Sequence, residues 1–180
     1  MKEKQGGIDI IHWLQTHLIA RMLLLVARLY LGYGWLMSGI HKYTDGFDSS
    51  GFLKNVIKNP VMTFDGHVQY PTFNAFIENI VLPQADLINV LIPFAEVTAG
   101  ILLIIGLFTP VAALVGLLMN FMFLFAGAIS VNPLYIILGV LILMGGYNSG
   151  RWGIDYFIRH MLEHPFFRFF NYTNESLHRA

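Results

Sequence analysis

The stretch LIARMLLLVARLYLGYGWLMSGI, residues 18–40, decides the fold of this chain. Its side chains are aliphatic, aromatic or small, apart from Arg21, Arg28 and Ser38. A helix rises about 1.5 Å per residue, so one of this length crosses a hydrocarbon layer of about 30 Å. Residues 18–41 are therefore predicted to form a first membrane-spanning helix with an arginine well inside it.

Three further apolar runs follow this first one. They predict membrane spans at residues 86–108, 111–130 and 133–150. The chain has 180 residues, of which 56% are hydrophobic and only 12% are charged, and its mean hydropathy is +0.59. Soluble domains carry about twice this charged fraction. We therefore expect residues 1–180 to form one domain, an all-α integral membrane four-helix bundle.

Two long segments lie outside the predicted spans. Residues 42–83 are too long for a simple connection and hold helical patterns at residues 49–58 and 72–81. Residues 151–172 combine an apolar stripe with basic side chains, which predicts an interfacial C-terminal helix. Lysine and arginine flank the first and fourth spans, so the positive-inside rule places both termini in the cytoplasm and residues 42–83 outside it.

Composition and motif content exclude several classes of function. The 11 Lys and Arg residues balance 11 Asp and Glu residues, so nothing indicates a nucleic-acid partner. The absence of cysteine excludes disulfides, thiolate metal sites and protein-ligated iron–sulfur clusters in this chain. His160 and His164 share a helical face, but no third ligand accompanies them, so we predict no metal site. We also expect no cleaved signal peptide, because the N-terminus lacks an apolar core and a small-residue cleavage site.

Three of the predicted spans carry one strongly polar residue each: Arg28, Glu96 and Asn120. Counted from the predicted cytoplasmic ends of their helices, these residues lie about 15 to 18 Å deep. A charge buried in a membrane is costly unless it is paired, and ionisable residues in spans usually mark functional sites. The three side chains are therefore predicted to face one another at a common depth.

The surroundings of these residues allow two interpretations. Arg28 and Glu96 form either an interhelical ion pair without a ligand or part of a binding site. Small residues at helical spacing, such as Gly32 and Gly100, either let the helices approach closely or leave room for a flat ligand. Trp35 lies on the same stripe as Arg28 and either packs in the core or stacks on that ligand.

Short motifs along the chain resemble those of the DoxX/DoxD family. They occur in order over about residues 20–158, and their combination is specific to the family. The motifs are ARLYLGYGWLMSGIHK at 27–42, FIENIVLPQA at 76–85, FAEVTAG at 94–100, GLFT at 106–109, MNF at 119–121, AG at 126–127, NP at 132–133 and GRWGID at 150–155.

The resemblance implies a four-helix membrane protein of a bacterial or archaeal cytoplasmic membrane. The family takes its name from the membrane subunit of a thiosulfate:quinone oxidoreductase, which works with a second subunit or a fused soluble domain. The arginine and lysine of the family's first span and the glutamate of its second span map onto Arg28, Lys42 and Glu96. The resemblance thus implies a membrane quinone and a soluble redox subunit as partners.

The main functional hypothesis is a membrane redox subunit that interacts with a quinone of the menaquinone or ubiquinone type. Glu96 and Arg28 are the candidate catalytic residues. Arg28 and Asn120 would donate hydrogen bonds to the quinone oxygens, Trp35 would stack on the ring, and Glu96 would relay protons. This hypothesis assigns all four residues to the quinone site.

Other features concern the electron donor and the partners. His41 and Lys42 at the outer end of the first span would attract an anionic donor such as thiosulfate. No GxGxxG or P-loop motif is visible, so electrons would come from that donor or from a partner subunit. A homo-oligomer is compatible with this hypothesis. The alternative is a non-catalytic membrane module that binds a lipid or small molecule, transports a solute or anchors a soluble partner.

Overall fold

The computed structural model describes residues 3–162 and the side chains of residues 10–160. The end of the predicted interfacial tail, including His164, lies outside the described residues. In the described part every regular element is helical, and extended pairing is limited to one bridge between Met62 and Val68. The all-α prediction is confirmed.

Four apolar helices, labelled α2, α5, α6 and α7 below, pack around one apolar centre. Two helical stretches, Leu18–Thr44 and Pro71–Ile105, are long and apolar enough to cross a membrane. The core between the helices is formed by Leu31, Trp35, Ala99, Leu103, Ala112, Ala113, Met119 and Ile142. In chain order the helices are α1 Glu3–Thr16, α2 Leu18–Asp45, α3 Ser49–Lys58, α4 Pro71–Phe76, α5 Ala85–Ile105, α6 Thr109–Phe125, α7 Asn132–Gly145, α8 Tyr147–Gly150 and α9 Ile154–Leu162.

Helix α2 forms the centre of the molecule and has defined ends. The His17 side chain accepts a hydrogen bond from the backbone N–H of Ile19 and caps its start. Gly46 ends the helix in the left-handed conformation, at φ 77°, where glycine has no steric penalty. Seven buried residues line one side of the helix: Ala20, Leu24, Arg28, Leu31, Gly32, Trp35 and Gly39. This side includes most of the stripe that the spacing predicts.

Helices α2 and α5 share the most extensive interface in the described part of the molecule. A Cβ atom at Gly100 would lie 2.5 Å from the Leu36 backbone nitrogen, and one at Gly39 would lie 2.9 Å from the Pro93 carbonyl oxygen. A Cβ atom at Gly32 would lie 3.0 Å from the Gly100 carbonyl oxygen. These glycines therefore serve close helix packing, which is one of the two interpretations of the small-residue pattern.

The third and fourth predicted spans are shorter than expected. Helix α6 ends at Phe125 instead of residue 130, and α7 ends at Gly145 instead of residue 150. The 14 residues of α7 rise only about 21 Å, less than a bilayer core. Gly146 breaks the fourth run with a positive φ of 51° before the short helix α8 begins. Apolar composition alone does not report such a break.

Residues 42–83, which are predicted to lie outside the cytoplasm and are called the outer segment below, pack against the start of α5. Sequence spacing predicts that a surface helix at residues 72–81 ends at Pro83, but the helical path continues from Pro71 to Ile105. Within this helical path, Ile77–Val81 form a π-helical turn and Leu82–Gln84 form a 3₁₀ turn. The 3₁₀ turn accommodates Pro83. Ile77 is buried against Leu53 of α3.

Polar contacts also anchor α3 to α5. The Ser49 backbone N–H donates to the Asn89 Oδ1 at 2.7 Å, and the Ser49 hydroxyl donates to the Ala85 carbonyl oxygen at 3.1 Å. Asp48 caps α3, and its hydrogen bond from the Ser50 backbone N–H lowers the pKa of the Asp48 carboxyl. The outer segment is therefore fixed on the bundle end that includes Lys42.

Candidate functional site

An ion pair at the outer end of the bundle forms the centre of the candidate site. The Lys42 Nζ donates to both carboxylate oxygens of Glu96, at 2.7 and 2.8 Å, and to the Ser38 hydroxyl at 2.8 Å. The Glu96 side chain is fully buried, whereas one fifth of the Lys42 side chain is exposed. A buried carboxylate is destabilising unless a positive charge lies beside it, and Lys42 supplies this charge for Glu96.

A cavity of about 300 Å³ opens beside this pair, and we call it the outer pocket. Elements α2, α3, α5, α6 and α7 and two connecting loops supply its walls. The lysine ammonium lies 5.6 Å from the Phe47 ring centroid and 5.9 Å from the Phe123 centroid, so aromatic faces partly cover its charge. The lining residues are Gly34, Trp35, Ser38, Lys42, Phe47, Phe52, Glu96, Phe123, Ala128, Ser130, Val131, Asn132 and Tyr135.

Two large aromatic side chains form the inner wall of the outer pocket. The rings of Trp35 and Tyr135 lie 5.8 Å apart at an interplanar angle of 58°. The Tyr135 hydroxyl lies directly against Gly34, where any side chain would displace it. Gly116 of α6 similarly leaves room for the Trp35 indole nitrogen, which would lie 2.9 Å from a Cβ atom at that position. Glycines thus create the space that the two rings occupy.

Several buried polar atoms near the pocket have no partner within the described residues. These are the Trp35 indole nitrogen and both amide atoms of Asn120, which is fully buried. Asn120 is one turn from Gly116 and one turn from Phe123 on the same face of α6, and therefore lies behind the pocket wall. Buried polar groups are normally hydrogen-bonded, so this cluster has hydrogen-bonding capacity available for a ligand or water.

Arg28 is not the partner of Glu96, and this part of the sequence prediction is wrong. Arg28 is buried, with 1% of its surface exposed, but its Nη1 donates to the Ser149 carbonyl oxygen at 3.1 Å. Its Nη2 donates to the Trp152 carbonyl oxygen at 3.0 Å. A Cβ atom at Gly106 would collide with the guanidinium. Arg28 therefore links α2 to α8 and to the segment that follows α8.

The error came from assuming that all helices start and end at one plane. Gly39 of α2 contacts α5 between Pro93 and Val97, so Glu96 lies level with Gly39. Arg28 precedes Gly39 by eleven residues, or about 16 Å along the helix. The start of α2 extends well beyond the level at which α5 ends. Counting a similar number of residues from the start of α2 and from the end of α5 therefore reaches two different depths in the bundle.

His41 is also separate from the outer pocket. It is exposed, and it does not contribute to the pocket wall, although Lys42 beside it does. Successive residues of an α-helix point about 100° apart, so the His41 side chain projects in a different direction from that of Lys42. Of the predicted site residues, the structure brings together Trp35, Lys42 and Glu96 and places Asn120 behind them. Their roles in binding or catalysis remain predictions.

Comparison with known proteins identifies the family. A model of the DoxX family matches residues 23–131, which is more than half of the chain. The chain belongs to the DoxX family. It is accordingly a membrane protein, in agreement with its two long apolar helices. No curated protein and no solved structure gives a significant match.

The matched region of this DoxX protein includes most of the outer pocket. It covers Trp35, Lys42, Glu96 and Asn120 and ends at residue 131, before Tyr135. Sequence reasoning missed Tyr135 and Phe123 as pocket residues. The available signal for Tyr135 was Gly34, because a glycine opposite an aromatic residue marks a close approach. The spacing in the sequence places Phe123 on the same helical face as Asn120, but it does not show that Phe123 and Phe47 would lie beside Lys42.

Proposed function

We propose that this DoxX protein is a membrane redox subunit that binds the head group of a quinone in the outer pocket. The buried Lys42–Glu96 pair carries the proposal, because both oxygens of a fully buried carboxylate contact an ammonium at the edge of a cavity. Paired titratable groups in a partly closed pocket are typical of sites that move protons.

The residues of the pocket fit a quinone head group. A volume of about 300 Å³ is at the lower end of the range for small-molecule sites, and suits one ring while an isoprenoid tail lies in the lipid. Trp35, Tyr135 and Phe123 supply aromatic walls. Two donors could serve the carbonyl oxygens: the Lys42 ammonium, which would exchange its hydrogen bond to Ser38 for one to the quinone, and the Trp35 indole N–H, which has no partner in the described part.

The protein would contribute proton transfer and orientation. A bound quinone accepts two electrons and two protons to become a quinol. Lys42 would donate a hydrogen bond to one carbonyl oxygen and stabilise negative charge there. After Lys42 gives a proton to the reduced quinone, the Glu96 carboxylate, which lies 2.7 Å from the Lys42 Nζ, would take up a proton from water and pass it to the lysine amine, once for each of the two protons. The exposed fifth of the Lys42 side chain would connect the pair with water outside the membrane.

Electrons would come from outside this chain. The sequence contains no cysteine for an iron–sulfur cluster and no nucleotide-binding motif. The donor would therefore be a reduced sulfur oxyanion such as thiosulfate, or a soluble partner subunit with its own redox centre. We propose a prokaryotic cytoplasmic membrane as the location, with four spans, both termini in the cytoplasm and the outer pocket on the opposite side.

Binding of short-chain quinones tests the proposal. We expect ubiquinone-1 or a menaquinone analogue to raise the melting temperature of the detergent-purified protein. Trp35→Phe removes the unpartnered indole N–H but keeps a ring, and should weaken binding about fivefold, the effect of one hydrogen bond. Trp13→Phe on α1 is the matched control and should bind like the wild type. Absence of any shift in the wild type with either quinone would exclude the proposed ligand.

The alternative function is a non-catalytic module that binds a lipid or small molecule in the same pocket. It is favoured by the Lys42–Glu96 pair, in which the ammonium already binds both carboxylate oxygens. Quinone-dependent oxidation of thiosulfate by purified protein, with its partner if one co-purifies, separates the two functions. Binding without any electron transfer would support the alternative.

A further inference from the structure

A second cavity lies at the other end of the bundle, between the start of α2 and the α8–α9 connection. Its volume is about 570 Å³, and we call it the basic groove. Arg21, Arg151, Trp152 and Phe157 are part of its wall. No residue of this wall is shared with the outer pocket, so the two cavities are separate sites.

Arg21 is held in position by a neutral partner. Its Nε donates to the Asn148 Oδ1 at 2.8 Å, and the Asn148 Nδ2 donates to the carbonyl oxygens of Leu14 and His17 at 2.8 and 3.2 Å. The Arg21 guanidinium also lies 5.9 Å from a ring centroid of Trp152. The guanidinium is thus oriented, while its Nη1 and Nη2 atoms have no hydrogen-bond partner within residues 10–160.

The groove has two positive charges, and within the described residues no negative charge lies beside them. In the described part of the chain, no carboxylate oxygen lies within 4.0 Å of Arg21 or Arg151. The acid nearest in sequence, Asp155, is occupied elsewhere. Its two oxygens accept hydrogen bonds from the backbone N–H groups of Phe108 and Thr109, at 2.6 and 2.9 Å. Two arginines on one groove, with no carboxylate beside them in the described part of the chain, favour an anionic ligand.

The rim of the basic groove is apolar and exposed. Ile105, Ile154 and Phe157 line it with 37%, 40% and 70% of their surfaces exposed. Arginine and tryptophan next to exposed aliphatic and aromatic side chains are typical of the membrane–water interface. A small inorganic anion would contact only the two arginines. A phospholipid would contact the arginines with its phosphate and the apolar rim with its acyl chains.

We propose that the basic groove binds the phosphate of an anionic phospholipid. Arg21 and Arg151 bind the phosphate oxygens, because guanidinium groups match their geometry and charge. The acyl chains lie against Ile105, Ile154 and Phe157. This site lies at the opposite end of α2 from Lys42 and does not depend on the proposed redox function.

Native mass spectrometry of the full-length protein in detergent tests this proposal. The probes are dioleoylphosphatidylglycerol, dioleoylphosphatidylcholine and inorganic phosphate. We expect the wild type to retain phosphatidylglycerol in preference to phosphatidylcholine. Arg21→Gln and Arg151→Gln should each lower the phosphatidylglycerol affinity about fivefold, the effect of one arginine at a lipid surface.

The matched control is Lys54→Gln, which removes one positive charge from an exposed position of α3. It should retain the lipid like the wild type. If Arg21→Gln fails to fold, Arg151→Gln decides, since its guanidinium makes no hydrogen bond within the described residues. Equal retention of the two lipids, equal loss in the Lys54 variant, or displacement by millimolar inorganic phosphate would each overturn the proposal.

Discussion

At the scale of single residues, the pairing of Lys42 with Glu96 is the feature on which the candidate site depends. The lysine is at the end of α2, and its side chain extends toward the helix start, where its Nζ also contacts Ser38 one turn earlier. Helical side chains lean in this direction, which brings the ammonium to the level of the buried carboxylate. The carboxylate of the pair is thereby buried in the protein, while the pair also lines the outer pocket.

Substitutions of this pair should be strongly non-additive. Glu96→Leu or Lys42→Met should each destabilise the protein by about 3 kcal/mol, because each leaves a poorly solvated charge without its partner. The double variant should regain most of this loss. Thermal unfolding in detergent measures the three values.

Lys58→Met is the control for the loss of one positive charge, because Lys58 is an exposed residue of α3. It should unfold like the wild type. Two additive single losses, with no recovery in the double variant, would show that the ion pair is not formed.

Sequence reasoning identified Glu96 as a buried functional candidate, but it paired this residue with the wrong cation. The burial follows from general membrane energetics, since a carboxylate inside an apolar span must face the bundle. The partner depends on how far α2 and α5 are shifted along each other. That shift is fixed by contacts such as Gly39 against Pro93, which spacing within one helix does not reveal.

At the scale of helices, the α2–α5 interface determines how the pocket residues meet. Gly100 allows the closest backbone approach in this interface, since a Cβ atom there would lie 2.5 Å from the Leu36 nitrogen. A rigid backbone atom at this distance cannot move aside without separating the helices. The relative position of Lys42 and Glu96 is a consequence of this packing.

Gly100→Ala should destabilise the protein by about 1 to 3 kcal/mol, because the added methyl group forces α2 and α5 apart. Gly51→Ala is the matched control, since Gly51 is exposed in α3 with open space around it. That change should be neutral or stabilising because alanine is the better helix former. Melting temperatures of the two variants test the expectation, and an unchanged melting temperature for Gly100→Ala would contradict the close packing.

Asp155 is predicted to stabilise the start of α6 from a distant position in the sequence. Its carboxylate accepts hydrogen bonds from the Phe108 and Thr109 backbone N–H groups, as an N-cap side chain does. Asp155→Ala should therefore cost about 0.5 to 2 kcal/mol. Glu78→Ala, at an exposed position, serves as the control. Hydrogen exchange at residues 108–112 should rise only in the Asp155 variant, and unchanged exchange there would exclude the cap.

The helices themselves were largely predictable, whereas their ends were not. Apolar runs locate α2, α5, α6 and α7 because a span needs continuous apolar surface. The break of α7 at Gly146 and the π and 3₁₀ turns before α5 depend on tertiary contacts. The GRWGID segment gave no structural signal from the sequence, although it supplies Asp155 to α6 and the Trp152 carbonyl oxygen to Arg28.

At the scale of the whole molecule, the proposed topology places the outer pocket and the basic groove on opposite sides of the membrane. The chain contains no cysteine, so single introduced cysteines can be labelled without background. Phe64→Cys lies at a fully exposed loop tip near α3, and Thr16→Cys lies at the exposed end of α1. A membrane-impermeant maleimide should label residue 64 in intact cells and residue 16 only after lysis. Labelling of both positions in intact cells would contradict the topology.

The overall class of the protein followed from composition, and the architecture of the site did not. High hydrophobicity, low charge and helical spacing are enough to predict an all-α membrane protein. The assumption that every helix ends at the same plane was the step that failed, because α2 extends past the end of α5 at Gly106. Because of this offset, Arg28 lies near the opposite end of the bundle from the candidate site and not beside Glu96, where it was predicted.

Photoaffinity labelling with an azido-quinone, followed by peptide mapping, tests most directly whether the outer pocket is the quinone site. We expect the label on residues 34–47 or 123–135, with competition by unmodified quinone and strong reduction in Lys42→Met. Label confined to the basic groove around residues 151–157, or label that unmodified quinone does not displace, would contradict the proposed site.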